Sequence, residues 1–400
     1  MDFFKNRIYL DYVSSTPIDS EMMGTFPALS AEAVTANPSA LHKEGQAAKK
    51  ALTDARSLVS QTLSAHADEI IFTSNATESD NIALQGAVKA FMANGIAEKD
   101  IAIITTDIEH SAVLETVHAL AQKHAVVVLE TEHGILDPKA IAIPEDAKAV
   151  IVSVMYVNNE IGTVQDIATI AKRMRFLRKH NPDIAMVLHV DATQAPLHYR
   201  LNVQKLGIDM MTLGATKLYC PKGVGMLYVK RKTPVAAVLY GGGQEFGIRP
   251  GTQAVQLIHD FAHALQYAQN NVEEYSAHIS DIQQKFEANI TKRIPSAKIT
   301  AQGLDRTPHI SHIALEKFDS ELLVLELDAR GVAVSAKSAC KNDLPRGASP
   351  ERGDVNESVI MERIYRKGWG AVRFSFGRMT TSDDVENAVT ALAAVLEKYS

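Results

Sequence analysis

The chain has 400 residues, and its 46% hydrophobic and 22% charged residues are typical of a globular protein rather than a disordered or fibrous one. A formal net charge of −6 gives no general attraction to nucleic acid or to an anionic membrane, so direct binding to either is not expected. The two cysteines exclude a disulfide framework and favour a cytoplasmic location, and the apolar runs are too short for a signal peptide or a membrane span.

The first part of the chain alternates short apolar runs with segments of helical periodicity. Strands are predicted at residues 8–10, 69–73, 101–104, 126–129, 149–152, 186–190, 209–213 and 226–229. Helices are predicted at residues 42–63, 79–91, 111–123 and 167–179, and residues 74–78 are predicted to form a polar turn. This alternation predicts an α/β fold with a mostly parallel sheet that is covered on both faces.

The pattern changes after Gly251, and a chain of this length is expected to form two domains. A long helical segment is predicted over residues 252–293, with room for one break. Short strands are predicted at residues 297–300, 309–313 and 332–334, and helices at 320–329, 357–365 and 382–398. These elements indicate a smaller α+β domain, and the Pro- and Gly-containing stretch 341–356 has the composition of a mobile loop.

Several polar residues fall where predicted strands end. They are Thr77, His110, Asn159, Asp191, Gln194 and Lys217. In an open α/β sheet these strand ends converge on one edge, which is where ligands bind. A lysine that is partly buried at such an edge loses its proton more easily and can then form a Schiff base with an aldehyde cofactor.

Each of these residues also has a purely structural interpretation. Thr77 could cap a helix, and His110 could be a core histidine with satisfied hydrogen bonds. Residues 158–160 could form a plain turn, Asp191 could cap a chain reversal, and Lys217 could be a surface lysine beside a turn. The coincidence of six such residues at one sheet edge favours a functional site over a separate structural role for each.

Pyridoxal 5'-phosphate chemistry needs this set of side chains. A lysine binds the aldehyde, and a carboxylate keeps the pyridine nitrogen protonated so that the ring can accept electrons. A helix N-terminus with a threonine hydroxyl receives the phosphate, and an imidazole or aromatic ring stacks on the cofactor.

The sequence also resembles the cysteine desulfurases of the NifS and IscS type, which are class V pyridoxal-phosphate-dependent aminotransferases. The resemblance covers nearly the whole chain, and its segments occur in the family's order. They are Tyr9-Leu-Asp-Tyr12, Asn37-Pro-Ser39, Phe72-Thr-Ser-Asn-Ala-Thr-Glu-Ser79, Glu109-His110, Asn158-Asn-Glu-Ile-Gly162, His189-Val-Asp-Ala-Thr-Gln194, Pro221-Lys-Gly-Val-Gly225, Gly241-Gly-Gly-Gln-Glu245, Arg249-Pro-Gly-Thr252, Ser338-Ala-Cys340 and Arg373-Phe-Ser-Phe-Gly-Arg378.

The resemblance implies the fold type I architecture of the aspartate aminotransferase-like transferases. The large domain, which binds pyridoxal phosphate, is expected to span residues 16–262. Residues 1–15 and 263–400 are expected to form the small domain, which carries the loop of the catalytic cysteine.

The resemblance also implies roles for the residues that would hold the cofactor. Lys217 matches the lysine that binds it covalently, Asp191 the partner of the pyridine nitrogen, Gln194 the donor to the ring oxygen, and His110 the stacking ring and acid/base. Ala76, Thr77 and Thr216 match further residues that contact the cofactor in the family. Thr252 matches a threonine that reaches the phosphate in the partner subunit, which implies a homodimer. No metal ion is implied.

The implied substrate is L-cysteine, which is converted to L-alanine. Asn159 and Arg373 match residues that position the substrate, Arg373 through its carboxylate. Cys340 matches the nucleophile that takes the sulfur as a persulfide and passes it to an acceptor protein, either an iron–sulfur scaffold or a tRNA-thiolation enzyme. The alternatives are a selenocysteine lyase or another class V enzyme, and a non-catalytic scaffold for sulfur transfer.

The chain departs from the family pattern at several positions. Gly214-Ala-Thr-Lys217 stands where the family has Ser-x-His-Lys, which weakens phosphate contacts by about 1.5–3 kcal/mol for each charge-assisted bond lost. Asn75 stands where the family has a Gly, and Asn is a residue that tolerates left-handed backbone angles. Other departures are Phe246 for Arg, Pro250 for Ser, Cys220 for Gly and Lys337 for Gly, and Lys341 follows the thiol directly.

The two cysteines have different interpretations. Lys337 and Lys341 flank Cys340, and they would either favour its thiolate or be solvated loop charges. Cys220 is expected to be a small buried residue, with a redox role as the alternative.

Overall fold

The computed structural model of the chain describes residues 7–336, 364–365 and 368–399. Its strands are β1 (Ile8–Tyr9), β2 (Ile70–Thr73), β3 (Ile101–Thr106), β4 (Ala125–Leu129), β5 (Ala149–Met155), β6 (Ala185–Asp191), β7 (Met210–Gly214), β8 (Gly225–Val229), β9 (Lys298–Ile299), β10 (Ile310–Glu316), β11 (Val332–Ala333) and β12 (Trp369–Ser375). Its α-helices are α1 (Ser20–Gly24), α2 (Ala31–Thr35), α3 (Lys43–Leu63), α4 (Ala76–Ala93), α5 (Ser111–Leu120), α6 (Ile167–His180), α7 (Val203–Leu206), α8 (Val255–Asn270), α9 (Val272–Arg293), α10 (Ser320–Asp328) and α11 (Ser382–Tyr399).

The strands from β2 to β8 form one seven-stranded sheet in the order β2-β8-β7-β6-β5-β3-β4. Neighbours from β4 to β7 run parallel, whereas β8 is antiparallel to both β7 and β2. Every residue of β3, β5, β7 and β8 is buried, which explains why these strands are continuous apolar runs in the sequence. The predicted mostly parallel sheet is confirmed.

Three predicted helix boundaries are wrong by three residues, and one of them is the start of α8, which begins at Val255 rather than at residue 252. Helix α4 begins at Ala76 rather than at residue 79, because the Asn75 side chain accepts a hydrogen bond from the Glu78 N–H at 2.8 Å and caps the helix. The predicted turn at 74–78 is therefore mostly the first turn of α4. Helix α5 ends at Leu120 rather than at 123, where the chain turns to start β4 at Ala125.

Asn75 has φ −171° and ψ 176°, which is extended backbone that any residue can adopt. The left-handed conformation that we expected at this position is therefore also wrong. The residue is used for its capping side chain and not for its backbone freedom.

The C-terminal part has its own sheet. Strands β9, β10 and β12 pair antiparallel in the order β12-β10-β9, and β1 pairs with β11. The long predicted helix is broken once, at Asn271 between α8 and α9. Strand β12 was not predicted, because Gly370 and Arg373 interrupt the alternation of apolar residues that marks a strand.

The two sheets have separate hydrophobic cores. The larger core includes α3, α6 and α8, and the second contains residues of α9, α10, α11, β10 and β12. Leu10, from the N-terminal segment, packs into the second core. The division into residues 16–262 and residues 1–15 with 263–400 stays a prediction, because Tyr12 and Ala264 pack into the first core. The packing of α8 through Ala268 against the first core favours a break at Asn271.

Several predicted features lie outside the described residues. They are the loop 341–356 and, except for residues 364–365, the helix 357–365. Within the described part of the chain, no helix is long and apolar enough to cross a membrane. The same residues contain no group of three or more His, Cys, Asp or Glu side chains that could hold a metal ion.

Candidate active site

A pocket of about 240 Å³ opens at the ends of β5, β6 and β7, beside the N-terminus of α4. Its wall contains most of the residues that the sequence singled out. They are Ala76, Thr77, His110, Asn159, Asp191, Gln194, Thr216, Lys217 and Arg373. The predicted convergence of strand ends therefore holds for these residues, and the wall also includes Arg373 from the second sheet.

The pocket also contains polar residues that the sequence did not single out as functional. These are Ser14, Asn75, Asp80 and Thr193. Asn75 and Thr193 lie inside the segments that resemble the family, and Asp80 lies directly beside one of them. A correct prediction that α4 begins at Ala76 would have indicated Asn75 as its cap and Asp80 as a residue of the helix. Nothing local marks Ser14, whose contacts are with residues far away in the sequence.

Lys217 lies in a short 3-10 turn, Ala215–Lys217, that directly follows β7. The lysine is partly buried, and its Nζ donates a hydrogen bond of 2.7 Å to the backbone oxygen of Ser14. The turn is held by hydrogen bonds from the Ala215 N–H to Val224 O and from the Leu218 N–H to Ala215 O. A surface position for Lys217 is therefore excluded, and its amine faces the pocket.

The N-terminus of α4 forms one wall of the pocket. The first N–H groups of a helix have no partner inside the helix and carry partial positive charge, so they attract anions. A Cβ atom at Gly225 would lie 2.6 Å from the carbonyl carbon of Asn75, so only glycine lets β8 pass this closely. Thr77 is the second residue of α4, and Asn75 rather than Thr77 is its cap.

Asp191 ends β6 at the floor of the pocket and is buried. Its Oδ1 accepts hydrogen bonds from the N–H of Thr193 at 2.9 Å and from the Thr193 hydroxyl at 2.5 Å. These bonds fix the position of one carboxylate oxygen. The alternative role of Asp191 as a cap for the chain reversal is thus also real, because the Thr193 bonds are local to that reversal.

A buried polar layer lies behind Asp191. His189 is fully buried, and its ring nitrogens pair with the hydroxyls of Ser153 at 2.9 Å and Thr212 at 3.0 Å. Burial lowers the pKa of His189 to about 4, so the ring is neutral near pH 7. The Asp80 carboxyl lies 3.6 Å from His189 Nε2, and burial, reinforced by the charge of Asp191, raises its pKa well above the usual range.

His110 is the cap of α5 and not a core histidine. Its Nδ1 accepts a hydrogen bond of 3.1 Å from the N–H of Ala112. When the ring is neutral, this bond places its proton on Nε2. His110 is half-buried and lines the pocket, so it is held in one orientation while part of its ring meets the cavity.

Glu109 supports the strand ends beneath His110. Its Oε1 accepts hydrogen bonds from the Thr106 hydroxyl at 2.5 Å and from the Met155 N–H at 2.9 Å. Burial raises the pKa of Glu109 to about 8. The carboxyl is therefore mostly protonated at neutral pH and joins β3 to the end of β5 without adding a charge.

We expect the variant Glu109→Gln to gain stability over the wild type as the pH rises. A glutamate in the unfolded chain titrates near 4.5, so its advantage in the folded state is fully present below that pH. The advantage is lost as pH rises through about 8, whereas glutamine is neutral throughout and keeps the Oε1 acceptor. Urea unfolding at pH 5 and pH 9 should show the difference growing by a few kcal/mol, on the scale of about 1.4 kcal/mol per pKa unit.

Glu115→Gln is the matched control, because Glu115 is an exposed residue of the same helix region. If the free energy of unfolding of both variants changes with pH in the same way as that of the wild type between pH 5 and pH 9, Glu109 does not titrate as described.

Asn158 and Asn159 divide two tasks. Asn158 Oδ1 accepts from the N–H groups of Glu160 at 2.9 Å and Ile161 at 2.8 Å, and its Nδ2 donates to Ile108 O at 3.1 Å. Asn158 therefore builds the turn, which agrees with the structural interpretation of residues 158–160. Asn159 is only half-buried and lines the pocket.

Arg373 comes from β12 and is 1% exposed. Its Nη1 donates to the backbone oxygen of Asn159 at 2.8 Å. Its Nη2 donates to Asp11 Oδ1 at 2.9 Å and to Ser14 Oγ at 2.8 Å. A guanidinium buried at a pocket wall is suited to bind an anionic ligand through its remaining N–H groups.

Among the predicted site residues that the structure describes, Thr252 does not line this pocket. Thr252 is exposed and follows a loop anchored by the ion pair of Arg249 with Glu78 at 3.0 Å. Cys340 and its neighbours Lys337 and Lys341 lie outside the described residues. Cys220 is buried, as expected, and burial raises the pKa of its thiol to about 12, so it is not a thiolate near pH 7.

Comparison with known proteins agrees with this architecture. The sequence matches the aminotransferase class-V family over residues 8–388. A cysteine desulfurase IscS from Azotobacter vinelandii is 33% identical, and the match covers 98% of this chain and 94% of that protein. The structure of a NifS-like protein superposes with a TM-score of 0.82 at 27% identity, covering 98% of this chain and all of the other. SspA in complex with cysteine gives a TM-score of 0.71 at 27% identity, covering 93% and 99%.

The fold and the pocket thus define a protein of the aminotransferase class-V family, a group of pyridoxal-phosphate-dependent enzymes of fold type I. Within it, the chain belongs to the cysteine desulfurases of the NifS and IscS type, which confirms the resemblance read from the sequence.

Proposed function

We propose that the protein converts L-cysteine to L-alanine and carries the released sulfur as a persulfide on Cys340. The observation that carries this proposal is the pocket that brings Lys217, Asp191 and Arg373 together, with His110 on its wall. The full-length similarity to IscS and the cysteine-bound relative SspA support cysteine as the substrate.

The residues present fit pyridoxal 5'-phosphate. Lys217 supplies an amine at the pocket, and Asp191 supplies a buried carboxylate with one oxygen fixed by Thr193. The N-terminus of α4, with Ala76 and Thr77, offers a site for the phosphate. Next to it, β8 passes so close to Asn75 at Gly225 that no side chain fits between the two. When bound, the cofactor supplies an electron sink for negative charge that develops beside its aldehyde carbon.

The departures in the lysine motif change how the phosphate would be held. Gly214 presents no side chain, and a Cβ there would lie 3.2 Å from the Cβ of Ala76, so the floor is already closely packed. Thr216 lines the pocket and retains a hydroxyl. We propose that Thr77, Thr216 and the α4 N–H groups hold the phosphate, without the histidine that the family places beside its lysine.

The other pocket residues have distinct roles in the proposal. Arg373 and Asn159 bind and orient the amino acid, Arg373 through the carboxylate. His110 stacks on the cofactor and, with Nδ1 occupied by Ala112, uses Nε2 to exchange protons. Gln194, whose Nε2 donates to the backbone oxygen of Val13, would donate its second amide hydrogen to the ring oxygen. The Cys340 thiolate, the reactive form of cysteine, would attack the sulfur of the substrate, so that the sulfur–sulfur bond forms as the carbon–sulfur bond breaks. The electron pair of the broken bond would stay on the carbon, which takes up a proton to give alanine.

A selenocysteine lyase and a non-catalytic scaffold remain the alternatives that the sequence leaves open. The intact set of Lys217, Asp191 and Arg373 in one pocket supports an enzyme rather than a scaffold. An assay with free L-cysteine separates the three. The desulfurase forms alanine and a protein-bound persulfide, the lyase prefers selenocysteine and does not need Cys340, and the scaffold forms no alanine.

We further propose that the protein is a cytoplasmic homodimer whose sulfur acceptor is an iron–sulfur scaffold or a tRNA-thiolation enzyme. The support for a dimer is the exposed position of Thr252, outside the pocket of its own chain. In the proposal, Thr252 reaches the phosphate site of the partner subunit.

Mixing two inactive variants tests the shared site. Chains with Lys217→Ala and chains with Thr252→Ala should form heterodimers in which one site carries neither lesion. Because about half of all dimers in a 1:1 mixture are heterodimers, and each of these holds one intact site out of two, activity should return to roughly a quarter of the wild-type value after complete exchange. The measurement is alanine release before and after subunit exchange. An active monomer, or no recovery in verified heterodimers, would contradict the proposal.

A further inference from the structure

The segment between β1 and α1 touches both parts of the protein beside the pocket. We call residues 11–16 the N-terminal connector. The backbone oxygen of Val13 accepts a hydrogen bond from Gln194 Nε2 at 3.2 Å, and the Val13 N–H donates to Ser375 Oγ at 3.1 Å. The connector thus links the end of β6 to the end of β12, with its next residue facing the pocket.

That next residue, Ser14, contacts two central groups of the site. Its backbone oxygen accepts the 2.7 Å hydrogen bond from Lys217 Nζ. Its hydroxyl accepts from Arg373 Nη2 at 2.8 Å and donates to Asp11 Oδ1 at 2.8 Å. Because Arg373 Nη2 also donates to Asp11 Oδ1 at 2.9 Å, these three side chains form a closed hydrogen-bonded triangle.

Arg373 has N–H groups that no described residue uses as hydrogen-bond donors. A guanidinium has five N–H donors, and both donors of Nη2 are used by Asp11 and Ser14. One donor of Nη1 is used by Asn159, and the buried Nε has no hydrogen-bond partner among the residues that the structure describes. A buried charged donor without a partner is unfavourable, and a carboxylate is a group that relieves it.

We propose that Ser14 is a positioning residue that holds the Nη2 end of Arg373, so that its other N–H groups are oriented to bind the free α-carboxylate of the substrate. The inference rests on the proposed function and deepens it, because it names a residue that sets affinity for that carboxylate. Asp11 alone would hold Nη2 by one bond, and the hydroxyl adds a second bond to Nη2 beside the bond from Nη1 to Asn159.

Three serine variants test this role. Ser14→Ala removes the hydroxyl but keeps the backbone oxygen that Lys217 uses, and Ser14→Thr keeps a hydroxyl. Ser15→Ala is the matched control, since within the described part of the chain the neighbouring Ser15 hydroxyl bonds only to the backbone oxygen of Thr16, at 3.3 Å, and Ser15 does not line the pocket. All variants are loaded with pyridoxal 5'-phosphate, and the absorption spectrum checks that the cofactor is bound.

The main readout is binding rather than turnover. L-alanine and L-alaninamide, which lacks the carboxylate, are titrated against each loaded protein, and the change in the cofactor spectrum gives both dissociation constants. In Ser14→Ala we expect the preference for alanine over its amide to fall about tenfold, the value of one charge-assisted hydrogen bond. KM for L-cysteine should rise by a similar factor while kcat changes little, and Ser14→Thr should recover most of the preference.

The outcomes separate the two proposals. A Ser14→Ala protein with the same alanine preference as the wild type and Ser15→Ala would overturn the role of Ser14 and leave the proposed function intact. Equal weakening of alanine and alaninamide would also overturn it, because the loss would then not concern the carboxylate. A wild type that binds no cofactor, or forms no alanine from cysteine, would instead overturn the proposed function and the role of Ser14 with it.

Discussion

Replacing Lys217 by alanine is expected to remove the covalent attachment of the cofactor and to lower alanine release from cysteine by more than about a thousandfold. Lys217 lines the pocket, and a hydrogen bond to the backbone oxygen of Ser14 already holds its Nζ there. Its loss therefore removes the amine that would bind the cofactor. Purified wild type should be yellow. Borohydride should fix the cofactor to the peptide that contains Lys217, and mass spectrometry should find no such adduct in Lys217→Ala.

Lys222→Ala is the matched control for this prediction. Lys222 is exposed in the loop that follows Lys217, so its loss changes the charge of the protein equally without touching the pocket. The control should keep both the adduct and the activity. A borohydride-fixed cofactor on another lysine in the Lys217→Ala protein would show that the assignment of the site is wrong.

The variant Cys340→Ser is expected to keep the bound cofactor and its spectral response to cysteine. Alanine release should nevertheless fall by on the order of a hundredfold or more, and the persulfide should disappear. Serine has nearly the shape of cysteine, but its hydroxyl does not ionise near neutral pH, whereas the attack on sulfur requires a thiolate. The measurements are the absorption spectrum, alanine by chromatography, and persulfide by mass spectrometry.

Cys220→Ala controls for the loss of a thiol as such. The Cys220 thiol is buried, and its raised pKa keeps it protonated, so its removal should cost some stability but leave sulfur transfer unchanged. Full alanine production by Cys340→Ser would mean that sulfur leaves without this nucleophile, and the selenocysteine lyase alternative would then be favoured.

Where the sequence predicted the fold well, burial on both faces had left a simple pattern. Strands β3 and β5 are continuous apolar runs because no residue in them meets water. Where it failed, a side-chain contact decided the structure. The Asn75 cap starts α4 three residues earlier than periodicity alone indicates. Strand β12 was not predicted because an arginine in a sequence indicates a surface position, whereas Arg373 is buried.

The site shows the same division. Residues at strand ends, such as Asp191 and Lys217, were predictable because parallel strands finish at one edge of the sheet. Ser14 was not, because its hydroxyl meets Arg373 across 359 residues of chain and its carbonyl meets Lys217 across 203. Contacts of this separation depend on how the second sheet docks against the first, which no local pattern encodes.

The central claim is that sulfur leaves cysteine onto Cys340 while alanine forms. The most direct measurement adds a limiting amount of L-cysteine to the wild-type protein, without reductant or acceptor, and determines alanine and protein-bound persulfide in the same sample. Alanine and the persulfide should be formed in equal amounts, and the persulfide should map to the peptide containing Cys340. Alanine formed without a persulfide on that peptide, or no alanine at all from a protein that holds its cofactor, would contradict it.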